Sequence, residues 1–144
     1  MKFSTKAIET MAEIVADEMS RIMPEAANIR EVETGMRELL RKVGAEGLKR
    51  HLEQMDEREP LEKTKECECQ GQQKYQFRRE GVLISVFGRI SYKRRYYTCP
   101  SCGSGHSPLE KRLQLEPGAV TAGLAALLAL AGVESAFAEA SRSV

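Results

Sequence analysis

The sequence contains no tryptophan, only two histidines, and four cysteines among its 144 residues. It has no P-loop, G-x-S-x-G or H-E-x-x-H pattern, so nucleotide hydrolysis and the usual serine- and zinc-hydrolase designs are not indicated. Acidic residues are plentiful, but they interleave with Lys and Arg, and no catalytic residue is assigned. Met1 to Thr10 carries charges and no apolar core, so no secretory leader is read. The longest apolar run, Ala119 to Val133, is broken by Gly123 and Gly132. It falls short of the about twenty apolar residues that span a bilayer. These absences point to a cytoplasmic protein without a membrane partner. In a reducing compartment, paired cysteines favour metal over disulfide.

What is present is concentrated. All four cysteines fall in two close pairs, Cys67-Glu68-Cys69 and Cys99-Pro100-Ser101-Cys102. Six of the eight Phe and Tyr lie between Tyr75 and Tyr97. From Gln72 to Thr98 there are seven cations (Lys74, Arg78, Arg79, Arg89, Lys93, Arg94, Arg95) and one anion, Glu80. A +6 segment therefore sits in a −5 background, although the whole chain is only +1. Such asymmetry suits a polyanion, because phosphate neutralisation and counterion release supply most non-specific nucleic-acid affinity.

The predicted fold class is α+β. Residues 1–65 form a helical unit and charged linker, 66–116 a zinc ribbon with a small antiparallel β-meander, and 117–144 a helical segment. In the first part, Ile8, Met11, Val15, Met19 and Ile22 recur at helical steps over residues 5–23, with Thr5 as N-cap. A second helix is expected from Ala26 to about Met55, weakened or kinked at Gly44 and Gly47. The two helices could pair as a local hairpin or associate into a homodimer. Asp56 to Glu66 is charged, contains Pro60, and reads as a linker. In the ribbon, Glu80-Gly81 and Gly88-Arg89 are expected turns, and Val82–Phe87 and Ile90–Thr98 strands. Beyond it, Pro117-Gly118 opens a helix to Ala131, and Gly132 separates it from another over Glu134–Arg142. Such a pair suits either the start of a helix-turn-helix or simple helix packing.

Two tight cysteine turns at the ends of a hairpin suit one tetrahedral zinc ion held by Cys67, Cys69, Cys99 and Cys102. The CxxC spacing is standard; CxC is one residue tighter. His106 could replace one cysteine, since imidazole is an ordinary zinc ligand, or simply lie at the surface, as His51 does. A redox dithiol at Cys99 and Cys102 lacks the strand-to-helix setting that lowers a thiol pKa. In the hairpin, inward aromatics are expected to form a thin core. Outward cations, Lys93, Arg94 and Arg95 among them, are expected to contact phosphate, with Tyr or Phe stacking on exposed bases.

Three runs carry a resemblance: Val86-Phe87-Gly88-Arg89-Ile90; Arg94-Arg95-Tyr96-Tyr97-Thr98-Cys99-Pro100-Ser101-Cys102-Gly103; and Pro108-Leu109-Glu110 with Leu113-Gln114-Leu115. Together they resemble the amino-terminal region of bacterial insertion-sequence transposases of the Kra type, over about residues 66–142. That family has a cysteine knuckle, an "LFG-x-hydrophobic" hairpin, "R-x-Y-Y-x-C-x-x-C-G" and "P-L-D-E-x-L-G-L". Here CxC replaces CxxC, Glu110-Lys111 stands for D-E, and Gln114 for G. The resemblance implies a zinc-stabilised, DNA-binding part of a transposase, with the catalytic RNase-H-like domain and its acidic triad downstream of residue 144. A zinc-ribbon adaptor that binds protein instead of DNA is the alternative.

Overall fold

The computed structural model describes residues 1–25, 27–116 and 118–142, excepting the side chain of Phe137. The helix starts expected at Ala26 and Pro117 lie outside the described residues. The fold is α+β, with amino-terminal helices, a four-stranded antiparallel sheet and carboxy-terminal helices. The chain divides into two compact units, Met1–Gly44 and Ala45–Val144. The second half of the long helix carries core residues of the sheet unit.

The first unit holds α1 (Thr5–Ile22) and the start of α2 (Ile29–Arg58). Ser4, not Thr5, is the N-cap, and its Oγ accepts from the Ala7 amide at 3.4 Å. A capping box opens α2: Asn28 Oδ1 accepts from the Glu31 amide at 3.0 Å, and Glu31 Oε2 accepts from the Asn28 amide at 2.9 Å. Helix α2 runs without a break through Gly44 and Gly47. Roughly a kcal/mol of lost propensity per glycine does not outweigh the contacts of a long helix. On α1 only Met19 is fully buried; Ile8, Met11, Ile14 and Ile22 remain exposed.

In the second unit the sheet order is β1 (Thr64–Glu66), β2 (Gln72–Ser85), β3 (Gly88–Thr98) and β4 (Gly105–His106). The expected linker is thus partly strand. Strands β2 and β3 make one long hairpin that turns at Ser85–Gly88, and Glu80-Gly81 is not a turn. Gly81 instead lies opposite Tyr92, where a Cβ would come within 3.0 Å of the Tyr92 ring and of Arg94 Nε. The glycine makes room for a buried cluster rather than reversing the chain.

Leu52 of α2, Leu83, Tyr92 and Leu109 form the core, flanked by Leu48, Met55, Leu113 and Leu115. Leu109 belongs to α3 (Pro108–Leu113), which Ser107 caps and Pro108 starts. Helix α2 also covers the open edge of β3. Glu53 Oε1 accepts from the Lys93 amide at 2.9 Å, and Asp56 Oδ1 from the Arg95 amide at 3.0 Å. Two carboxylates three residues apart on a helix thereby stand in for a neighbouring strand, which removes an edge open to aggregation. Asp56, expected in the linker, is fully buried.

Segment 118–121 runs beside β2, with the Thr121 amide donating to Ile84 O at 2.9 Å and Ile84 bridging Val120 in parallel. It leads into α4 (Ala122–Arg142), a single helix that passes through Gly132. Neither the expected break nor a helix-turn-helix forms there. Helix α4 is weakly apolar, and by length and composition it could cross a membrane, with a mean hydropathy of 1.5 over a stretch that is not buried. The expectation that the apolar run is too short for a span therefore does not hold by length. The helix is longer because Gly132 does not end it.

Candidate metal centre

The two cysteine pairs, one before β2 and one after β3, meet at the open end of the hairpin. The sulfurs of Cys67, Cys69, Cys99 and Cys102 all lie within 4.8 Å of one another. Cys67 Sγ is 3.6 Å from Cys102 Sγ, and Cys69 Sγ is 3.6 Å from Cys99 Sγ. Four sulfurs about 2.3 Å from one tetrahedral ion are about 3.8 Å apart, close to this spacing. All four cysteines are thiols without disulfides.

Each pair is shaped by its own backbone. The Cys99 amide donates to Ser104 O at 2.8 Å and the Gly103 amide to Cys99 O at 2.8 Å. Gly103 then takes φ +72°, the left-handed conformation that closes the turn. In the shorter pair the Gln70 amide donates to Cys67 O at 2.9 Å and the Cys67 amide to Gly71 O at 2.9 Å. The left-handed residue there is Gln70, φ 69°. It falls three residues after the first cysteine, one earlier than Gly103, which is how a CxC pair reaches the same geometry as CxxC. Gly71 abuts the cluster: a Cβ there would lie 3.1 Å from Cys99 Sγ and 3.2 Å from Cys69 Sγ.

The electrostatics also suit a cation. Hydrogen bonds from Ser104 Oγ and the Cys69 amide lower the Cys67 thiol to about 6. The Gly71 amide favours a Cys69 thiolate, yet the sulfurs of Cys102, Cys67 and Cys99 together push that thiol up to about 12. Ser104, through its hydroxyl and its amide, lowers Cys102. Four crowded sulfurs cannot all ionise without a positive charge at their centre, so a bound cation and full deprotonation require each other. The cluster could hold a metal ion on these grounds.

His106 is not one of the clustered groups. Its ring stacks on Tyr97 at 6.1 Å between centroids, and burial, then Lys111 and Lys65, lower its pKa. A groove of about 800 Å³ beside the cluster is lined by Cys67, Ser104, His106, Tyr96, Lys65 and Lys111, among others.

The hairpin cations separate into two groups. Lys74, Arg79, Arg89 and Lys93 are exposed. Arg94, expected to face outward, is 4% exposed, because it is on the core side of β3 with Ile90 and Tyr92. Its Nε donates to Glu110 Oε1 at 2.6 Å, and Tyr92 Oη donates to the same oxygen at 2.7 Å. Burial and the Glu110 carboxylate push the Tyr92 hydroxyl pKa well up. Arg95 is also turned inward, its Nη1 donating to Glu59 O at 2.5 Å and its Nε 4.0 Å from Asp56 Oδ2. Arg78 is exposed too, but divides its charge between Asp56 at 3.3 Å and Glu57 at 3.4 Å. Sequence reasoning missed Asp56, Glu53 and Glu110. The one signal was the alternation along β3, which places Arg94 on the same side as Ile90 and Tyr92.

Fold and site together define an α+β protein with a four-cysteine cluster that could hold a metal ion. Residues 22–144 match the uncharacterised protein family UPF0236, and the chain belongs to that family. No curated protein and no solved structure matches the chain.

Proposed function

We propose that this chain is the DNA-binding amino-terminal region of an insertion-sequence transposase of the Kra type, stabilised by zinc and acting in the cytoplasm. The observation that carries the reading is the closing of a +6 hairpin by a four-sulfur cluster. A thiolate-only donor set suits zinc, which has no redox chemistry and accepts tetrahedral sulfur ligands. Zinc fixes the ends of β2 and β3, and Lys74, Arg79, Arg89 and Lys93 then present their charge to phosphate. The arginines paired with acidic groups, Arg78, Arg94 and Arg95, hold the framework that aims them. The resemblance of the hairpin, second knuckle and α3 segments to that transposase region supports the same reading.

The test is a titration of purified, zinc-loaded protein with DNA at about 50 and 200 mM salt. Affinity should fall steeply across that range, because each phosphate neutralised adds about 0.9 to the log–log slope. No affinity at the lower salt, or affinity independent of salt, would overturn the reading. Metal analysis of freshly reduced protein should find one zinc per chain, and Cys99→Ser should lose it.

A second reading is favoured by the exposed Ile8, Met11 and Ile14 on α1. These would make the chain a zinc-ribbon adaptor that pairs with another protein or with a second copy of itself. A dimer mass by light scattering, together with no DNA affinity, would favour it over the first.

A further inference from the structure

We infer that Lys74, Phe77 and Arg79 form a binding row for an unpaired, extended DNA strand, with a base stacked on Phe77. The inference rests on the DNA-binding reading and specifies which form of DNA this face takes.

The row is created by a bulge. The β2–β3 register pairs Lys74 with Thr98, Phe77 with Tyr96, and Arg79 with Arg94, and it shifts between Tyr75 and Phe77. Thr98, Tyr96 and Arg94 alternate along β3, so their three partners share one face of the hairpin. Without the extra residue, Lys74 and Phe77, three apart, would face opposite ways. The bulge therefore brings a cation, an aromatic ring and a second cation into line.

The surface chemistry fits a nucleobase. Phe77 is 54% exposed, although full burial of such a ring would contribute about 1.5–3 kcal/mol. The Arg79 guanidinium lies 5.2 Å from the Phe77 ring centroid and 4.5 Å from that of Tyr96. Arg94 approaches Tyr96 at 5.2 Å from the buried side. The platform is thus held in place from within, while the Phe77 ring stays open to solvent. An apolar ring has little to offer a phosphate or a ribose, but it stacks on the π-face of any base. In a duplex those faces are covered by neighbouring pairs.

Spacing points the same way. Successive positions of the row are about 6.7 Å apart, two strand residues. That is about twice the 3.4 Å rise per nucleotide of a stacked strand. A cation–ring–cation row at this interval matches phosphate, base and phosphate of an unstacked strand. Such a strand is exposed where DNA ends are melted or frayed.

The experiment is fluorescence anisotropy of the zinc-loaded full chain with a labelled oligothymidylate and with a labelled duplex of equal length. The single strand should bind more tightly. Phe77→Ala should lower its affinity about 5- to 150-fold, and Phe77→Trp should restore it. The duplex should be little affected by either change. Because Phe77 is exposed, both variants should melt as the parent does, and circular dichroism checks this. Equal single-strand affinity for Phe77→Ala, or a preference for duplex, would overturn the inference and leave DNA binding standing. Failure to bind either form would overturn both.

Discussion

Replacing Arg94 by Met should unfold the sheet unit far more readily, which separates a structural arginine from an exposed one. Arg94 and Glu110 are both nearly fully buried, at 4% and 5% exposure, and pair at 2.6 Å. Removing the cation leaves Glu110 with the Tyr92 hydroxyl at 2.7 Å and the weaker Ser107 contact at its amide. Stranding one charge of a buried pair typically costs about 3–5 kcal/mol. For a unit of this size each kcal/mol lowers the melting temperature by about 4–8 °C, so the drop should be roughly 12–40 °C. The double variant Arg94→Met with Glu110→Leu should recover much of the loss, since apolar residues of similar volume often match or exceed a buried ion pair. Urea unfolding followed by circular dichroism in zinc-replete buffer would measure both. A cost below about 1 kcal/mol for the single variant would refute the buried-pair argument. So would a double variant that is less stable than Arg94→Met alone. Arg89→Ser, at an exposed site, should change stability by no more than about 0.5 kcal/mol.

Three further outcomes follow from the same geometry. Gln114 caps α3 at φ 53°, so Gln114→Gly should stabilise the protein by roughly 0.5–1 kcal/mol in thermal or urea melts, and a loss of stability would contradict the cap assignment. Asp56 accepts from the Arg95 amide and from Arg78; Asp56→Ala should cost about 3–5 kcal/mol and Asp56→Asn less, because the amide oxygen keeps the strand-edge bond. The Cys67 thiol is depressed to about 6, below its unfolded value of about 8.5, so the stability it contributes is complete above about 8.5 and is lost as pH falls through about 6. Acid protonates the thiolates that would hold a metal, so bound metal should be released as pH is lowered, which a colourimetric chelator would follow, and release that does not depend on pH would count against thiolate ligation.

Much of this fold was legible in the sequence because two signals are local. Helical spacing located α1 and α2, and the cysteine pairs marked both ends of the hairpin. The errors share a cause: one residue type serves two physical purposes. Glu80-Gly81 reads as a turn because glycine permits one, but Gly81 is there because Tyr92 and Arg94 occupy the space a Cβ would need. Asp56 sits in a charged stretch and reads as linker, yet its partners, Arg78 and the Arg95 amide, lie 22 and 39 residues away. No local pattern encodes a pairing at that distance. The two helices expected after residue 119 are one helix, since a single glycine costs only about 1 kcal/mol.

The segments that carry the resemblance take on a structural meaning once their contacts are known. Arg94 opens the run that ends in the CxxC knuckle, and Glu110 lies in the Pro-Leu-Glu segment that follows it. They are ion-pair partners across the core. Leu109 is fully buried beside them, and Gln114, where the resemblance calls for glycine, adopts the left-handed conformation that glycine prefers. What looks in the sequence like a string of DNA-facing basic residues is therefore partly a clamp: α3 is locked to β3, and α2 to the edge of β3. The outward charge left to Lys74, Arg79, Arg89 and Lys93 is smaller than the composition suggests but better positioned. The cations that point inward fix the strand pair, and the sulfur cluster fixes its ends. On the proposed DNA-binding reading, the remaining cations would meet phosphate without first having to be ordered, and that saved entropy would be the physical advantage of the arrangement.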